Sequence, residues 1–189
     1  MTVDRPQMLV AEFEELAHAA PETVWLEFID GKLEVKPPHD GNHGAIVVWL
    51  LRQCLYLRPD LSLYPYLGLK SGGLLEDRVR PDGALAHDGQ LAGHGGWSDP
   101  NGFLMTVEVT LRTPGNDRRC QIAKRDGYAA AGIPVHVLVD RDTNTLSVYS
   151  EPEKGRYRKR TSHPFGATVP FPGPVGITLK TERLKDYTQ

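Results

Sequence analysis

Cysteine is scarce in this chain. Only Cys54 and Cys120 occur among 189 residues, and they form no CxxC pair, which argues against a zinc knuckle or a disulfide framework. An excess of charge of one sign is lacking too: 22 Lys and Arg stand against 24 Asp and Glu, a formal net charge of −2. The global basic field of many nucleic-acid binders is therefore absent, although a local basic patch is not excluded. No apolar run approaches about 18 residues, and the N-terminal segment has no h-region. No membrane span is expected, and the expected location is cytoplasmic. The sequence also has no internal repeat and no long low-complexity linker.

What is present suits a globular protein, with 40% hydrophobic and 24% charged residues. The length suits a single domain over 1–189, or one domain with a small extension; the expected division is a core over about 12–150 and a C-terminal strand extension over 151–189. Leu9, Phe13 and Leu16 predict a helix over 7–19 that stops at Pro21. LEFIDGKLEV (26–35) predicts a hairpin about Asp30-Gly31. A helix over 39–57 follows, with Ile46, Leu50, Cys54 and Leu57 on one stripe. Residues 62–86 read as strands broken by glycines 72 and 73. The Gly-rich stretch 87–102 reads as a loop without the strand–loop–helix setting of a phosphate-binding loop.

Then come a strand at 103–111, a helix at 116–132 capped by Asn116 or Asp117 and closed by Gly132, a strand at 135–140 and a hairpin around EPEKG. The Pro/Gly-rich tail ends in a short strand or helix. This order predicts a mixed α/β fold with one central sheet.

The carboxylates carry the chemistry. Glu108 lies inside the apolar strand FLMTVEVTL, sharing a face with Leu104, Thr106 and Thr110 while Phe103, Met105, Val107 and Val109 face the other way. An unpaired buried carboxylate costs on the order of several kcal/mol, so a cation, a metal or a wet cleft must attend it. Asp82 follows Pro81 on a neighbouring strand. Asp117, Gln121, Lys124 and Tyr128, spaced i, i+4, i+7, i+11, share one helical face. Two strand carboxylates suit a hard divalent cation such as Mg²⁺, and a lysine aimed at the same point suits a water or a charged phosphate.

Pro81-Asp82 … Glu108-Val109-Thr110 resembles the PD-(D/E)XK nuclease superfamily. The run EVT…ND…K…YAAAGIPVHVLVD is similar to a bacterial restriction-endonuclease-like family within it, catalogued as a domain of unknown function. The resemblance implies a restriction-endonuclease-like fold: a central mixed β-sheet flanked by helices, with an N-terminal hairpin and C-terminal strands. It implies Asp82 and Glu108 as metal ligands, joined by the Val109 carbonyl, with Glu27 and His43 near the site. In the signature form the third residue of the ExK triplet is lysine. Here it is Thr110, and Lys124, in the following helix, stands where this family moves the lysine.

The implied activity is Mg²⁺- or Mn²⁺-dependent hydrolysis of nucleic-acid phosphodiester bonds, with DNA as substrate, Asp82, Glu108 and Lys124 as catalytic residues, and Gln121 and Tyr128 in support. Related nucleases often dimerise to cut two strands, so a homodimer is expected. RYRKR (156–160) is the densest basic stretch. Strand alternation places Arg156, Arg158 and Arg160 on one face as candidate nucleic-acid contacts, with Tyr157 and Lys159 opposite, although a solvated edge hairpin is the simpler reading. Two other readings stay open. One is a non-catalytic nuclease-fold scaffold, favoured by Thr110 and the acidic charge. The other is a metal hydrolase built on His39 and His43, which are spaced i, i+4.

Overall fold

Asp30 and Gly31 adopt φ of 51° and 73°, the left-handed pair a two-residue turn needs, and fold β1 (Trp25–Ile29) onto β2 (Lys32–Lys36). The computed structural model describes residues 6–72, 76–111 and 118–188. Helix α1 (Val10–Ala19) precedes the hairpin, and its Phe13 packs with Leu26 and Phe28. Helix α2 (Gly41–Leu57) begins at Asp40, whose carboxylate accepts the backbone N–H of His43 at 2.8 Å. Its stripe buries Ile46, Leu50 and Cys54 as expected. Leu57, expected on the same stripe, is exposed because the helix ends there.

The region expected as one run of strands over 62–86 is divided between two sheets. Strands β3 (Leu61–Tyr64) and β6 (Gly83–His87) enter a six-stranded sheet. Strands β4 (Leu69–Lys70) and β5 (Arg78–Val79) join the N-terminal hairpin in a four-stranded one, ordered β2-β1-β5-β4. The larger sheet continues through β7 (Met105–Val109), β8 (Val135–Asp140), β9 (Thr145–Glu153) and β10 (Arg156–Pro164), in the order β10-β9-β8-β7-β6-β3. Only the β7–β8 pair in it is parallel, which makes the sheet mixed. The crossover between them carries α3 (Arg118–Ala130), closed by Gly132 at φ 75°. The caps Asn116 and Asp117 expected for α3 lie outside the described residues.

One face of the large sheet, with Met105, Val107, Val109, Val135 and Val137, packs on α2. The tail expected as an extension contributes to that same core through Phe165, Val169, Phe171, Val175, Ile177, Leu179 and Leu184. It forms β11 (Thr168–Pro170), β12 (Thr178–Lys180) and a 3₁₀ helix (Thr181–Tyr187). Helix α3 lies over the opposite face. There Ser71 and Gly72 run so close to it that a Cβ on Gly72 would stand 2.5 Å from the Ala131 nitrogen, and one on Gly127 2.3 Å from the Ser71 hydroxyl.

Candidate active site

The register of β6 against β7 pairs Gly83 with Val107, and one further step sets Asp82 opposite Glu108. Alternation sends Glu108 away from the α2 core toward α3. Tyr128 donates its hydroxyl to Glu108 Oε1 at 2.6 Å, and Lys124 Nζ meets the same oxygen at 2.6 Å. Lys124 also reaches Glu27 Oε1 at 2.9 Å, and the Arg80 N–H donates to that oxygen at 2.6 Å. Glu27 is thus buried in the cluster, not exposed on the hairpin. The expected helical face therefore does converge on the strand carboxylates, through Lys124 and Tyr128. Gln121, one turn earlier, lines the cavity above them. Asp117 of that face lies outside the described residues.

Asp82 is 2% exposed and heavily attended. Its Oδ2 accepts the Val109 N–H at 2.8 Å and lies 3.1 Å from His43 Nε2. Its Oδ1 stands 2.8 Å from Lys36 Nζ and 3.6 Å from His39 Nε2, yet accepts no directed hydrogen bond. The Lys36 ammonium donates instead to the Arg80 carbonyl.

Lys36 is the residue that sequence reasoning missed. In KLEVK it shares a face with Lys32 and Glu34 and reads like any solvated charge. A faint signal was its place as the last residue before Pro37-Pro38, where the chain must turn toward α2.

Burial pushes the carboxylates up, but charge decides each case differently. For Asp82 the attraction of Lys36 and the His43 contact overcome burial, and its carboxyl is held far below the usual range. Glu27 also ends lower, through Lys124, Lys36 and the Arg80 N–H. In Glu108 burial wins over Lys124 and Lys36, with Asp82 and Glu27 adding repulsion, and its carboxyl is raised. Burial would discharge Lys124, but Glu108, Glu27 and Asp82 keep it protonated far above neutrality. His39 is pulled down to about 4 by burial and by His43. The charge that makes Glu108 tolerable is therefore, in the first place, Lys124.

Thr110, which stands in place of the signature lysine, takes no part in the cluster. It is buried, and its hydroxyl accepts the Arg141 N–H at 2.8 Å. The arginines of β10 are exposed. Arg160 lies over the Tyr149 ring at 5.4 Å, and that ring is 6.2 Å from Tyr157. Arg160 and Tyr157 therefore share a side, which corrects the alternation expected for Arg156, Arg158 and Arg160. The reason is Glu151, whose φ of 59° breaks the pleat of β9 beside this stretch. Arg158 instead pairs with Glu153 at 3.5 Å.

A cavity of about 300 Å³ opens on these groups, lined among others by Glu27, Lys36, His39, Asp82, Glu108 and Lys124. Nitrogen and oxygen donors of His39, His43 and Asp82 lie within 4.8 Å of one another at its edge. No helix among the described residues is long and apolar enough to cross a membrane.

Comparison with known proteins agrees with this architecture. No curated protein matches the chain. Among solved structures, the chain is similar to one from Anabaena variabilis, described as "a putative nuclease belonging to DUF820". The two superpose with a TM-score of 0.74 at 17% identity, over 96% of this chain and 99% of that one, a likeness of fold. Residues 10–182 match the family model Uma2, described as "Putative restriction endonuclease", and the chain belongs to that family.

Proposed function

We propose that the protein is a metal-dependent endonuclease that hydrolyses phosphodiester bonds of DNA, with Asp82, Glu108 and Lys124 as its catalytic residues. The observation that carries this reading is the meeting of three carboxylates and two lysines, from five separate segments, in one cavity. Family membership supplies the chemistry class, a hydrolase acting on phosphodiester bonds.

The cluster suits a hard divalent cation. Glu27, Asp82 and Glu108 against Lys36 and Lys124 leave one formal negative charge, histidines aside. Asp82 Oδ1 is buried without a hydrogen bond, and both contacts to Glu108 fall on Oε1. Asp82, Glu108 and the Val109 carbonyl would hold Mg²⁺ or Mn²⁺, which take oxygen ligands. When bound, such an ion supplies positive charge for a phosphoryl oxygen and a water of lowered pKa.

The protein's own groups do the rest. Lys124, held charged by its carboxylates, presents an ammonium to the negative charge that grows on the phosphate. Tyr128 fixes Glu108 and Glu27 fixes Lys124, so neither must reorganise as charge develops. His43 and the Val109 N–H hold Asp82 through Oδ2. Gln121 is placed to contact the substrate backbone. A homodimer would bring two such sites to a duplex, and light scattering would read twice the chain mass.

The test is cleavage of plasmid and oligonucleotide DNA with Mg²⁺ or Mn²⁺, which Lys124→Ala should abolish. Equal cleavage by wild type and Lys124→Ala sinks the assignment.

The donor set of His39, His43 and Asp82 favours a second reading, a nitrogen-ligated metal centre. Against it, the two imidazoles stack at 3.8 Å and 9°, so no point lies in both ring planes, as joint ligation requires. Calorimetric titration with Mn²⁺ separates the readings: Glu108→Ala loses binding under the first, His39→Ala under the second.

A further inference from the structure

Beyond Glu108 the site cavity adjoins a second one of about 430 Å³. The two share Glu108, Gln121 and Leu138 as lining. The second differs in charge. Arg118, Arg125 and Arg160 line it, and the guanidinium groups of Arg125 and Arg160 lie 5.5 and 5.4 Å from the one Tyr149 ring.

Its acids are already engaged. Glu108 meets Lys124, and Asp140 Oδ1 accepts the N–H groups of Asp142 and Thr143 at 2.9 and 3.2 Å. Arg125 is steered by Asp126 at 2.8 Å, which fixes its plane. Arg160 reaches Ser147 at 3.4 Å, a neutral partner. The lining thus carries positive charge on planar guanidinium forks, beside hydroxyls of Thr143, Thr145 and Ser162. Forks and hydroxyls of this kind recognise phosphate oxygens.

We infer that this second cavity seats a backbone phosphate of the DNA strand next to the scissile one, with Arg160 and Arg118 as the phosphate contacts and Tyr149 as the positioning residue under Arg160. The inference rests on the nuclease reading for the identity of the ligand as DNA. It also divides the basic stretch of β10: Arg160 binds, whereas Arg158, paired with Glu153 outside the cavity lining, does not.

The experiment is fluorescence anisotropy of a short labelled DNA, as duplex and as single strand, with full-length protein in EDTA across a salt series. Arg160→Ala and Arg118→Ala should each weaken binding by about 5-fold. Each should also lower the slope of log affinity against log salt by about 0.9 for duplex or 0.7 for single strand. Arg158→Ala should leave both quantities unchanged. Equal binding by wild type and Arg160→Ala overturns the inference, as does an equal loss in Arg158→Ala, which would mark a diffuse charged surface, or no wild-type binding to either DNA. Failure of the nuclease reading looks different: wild type cleaves nothing with Mg²⁺ or Mn²⁺, yet Arg160-dependent binding in EDTA persists.

Discussion

The cluster around Lys124 and the outer hairpin of β9 and β10 use the same ion pairs in opposite ways. Lys124 meets Glu108 at 2.6 Å with both side chains nearly out of water, whereas Arg158 meets Glu153 at 3.5 Å with side chains 64% and 54% exposed. In the first region low dielectric makes every missing partner costly. In the second, water and salt screen the pair until it contributes little. Residue type alone does not separate the two; desolvation does. A sequence shows the types plainly and the desolvation only by inference.

The sharpest way to break this contrast is Lys124→Met, which strands Glu27 and Glu108 together. It should cost about 3–5 kcal/mol of stability in urea denaturation, with Lys124→Met/Glu108→Gln recovering part of the loss. Lys36→Met should cost less, about 2 kcal/mol, because His43 and the Val109 N–H still hold Asp82. A loss as large as that of Lys124→Met would show that Lys36 is the principal counter-ion.

A pH series probes the same burial from another side. His136 is pulled down to about 3 by burial and by the charges of Lys124 and Arg125. Its folded pKa lies below the unfolded value, so its contribution is full above pH 6.5 and fades as pH falls toward 3. Asp77 opposes it. Burial raises that carboxyl to about 6, so stability from Asp77 grows as pH falls from 6 toward 3.8. His136→Phe should therefore remove up to about 1.4 kcal/mol per pH unit of acid sensitivity, read as urea midpoints between pH 7 and 5. An unchanged slope would place the sensitivity elsewhere. Arg158→Ala should give the smallest effect, about 0.5 kcal/mol or less, and a larger loss would show the hairpin pair to be shielded after all.

Much of this arrangement was legible. The faces taken by Glu108, Lys124 and Tyr128 follow from strand alternation and helical spacing, which are periodic, whereas the meeting of Lys124 with Asp82 and Glu108 at one site is what the family resemblance implies. Lys36 was not legible, since its partners, the Arg80 carbonyl and Asp82, lie far along the chain. The side taken by Arg160 was hidden for a different reason. A single left-handed residue, Glu151, breaks the pleat, and nothing about a glutamate announces a positive φ. The share of the tail in the core was hidden because Pro and Gly signal irregular chain, while its scattered Phe, Val and Ile residues join the core packed on α2 without any period to reveal them.

The close seat of Ser71 and Gly72 on α3 turns that helix into a lever. With backbone on backbone at Gly72 and Ala131, there is no compressible side chain to absorb a shift. Any bulk added there must tilt the helix, and Lys124 and Tyr128, two and one turns up the same rod, would swing away from Glu108 together. Site geometry is thus gauged at a point remote from the carboxylates, and Gly72→Ala should loosen the Lys124 and Tyr128 contacts to Glu108 with no charged residue substituted.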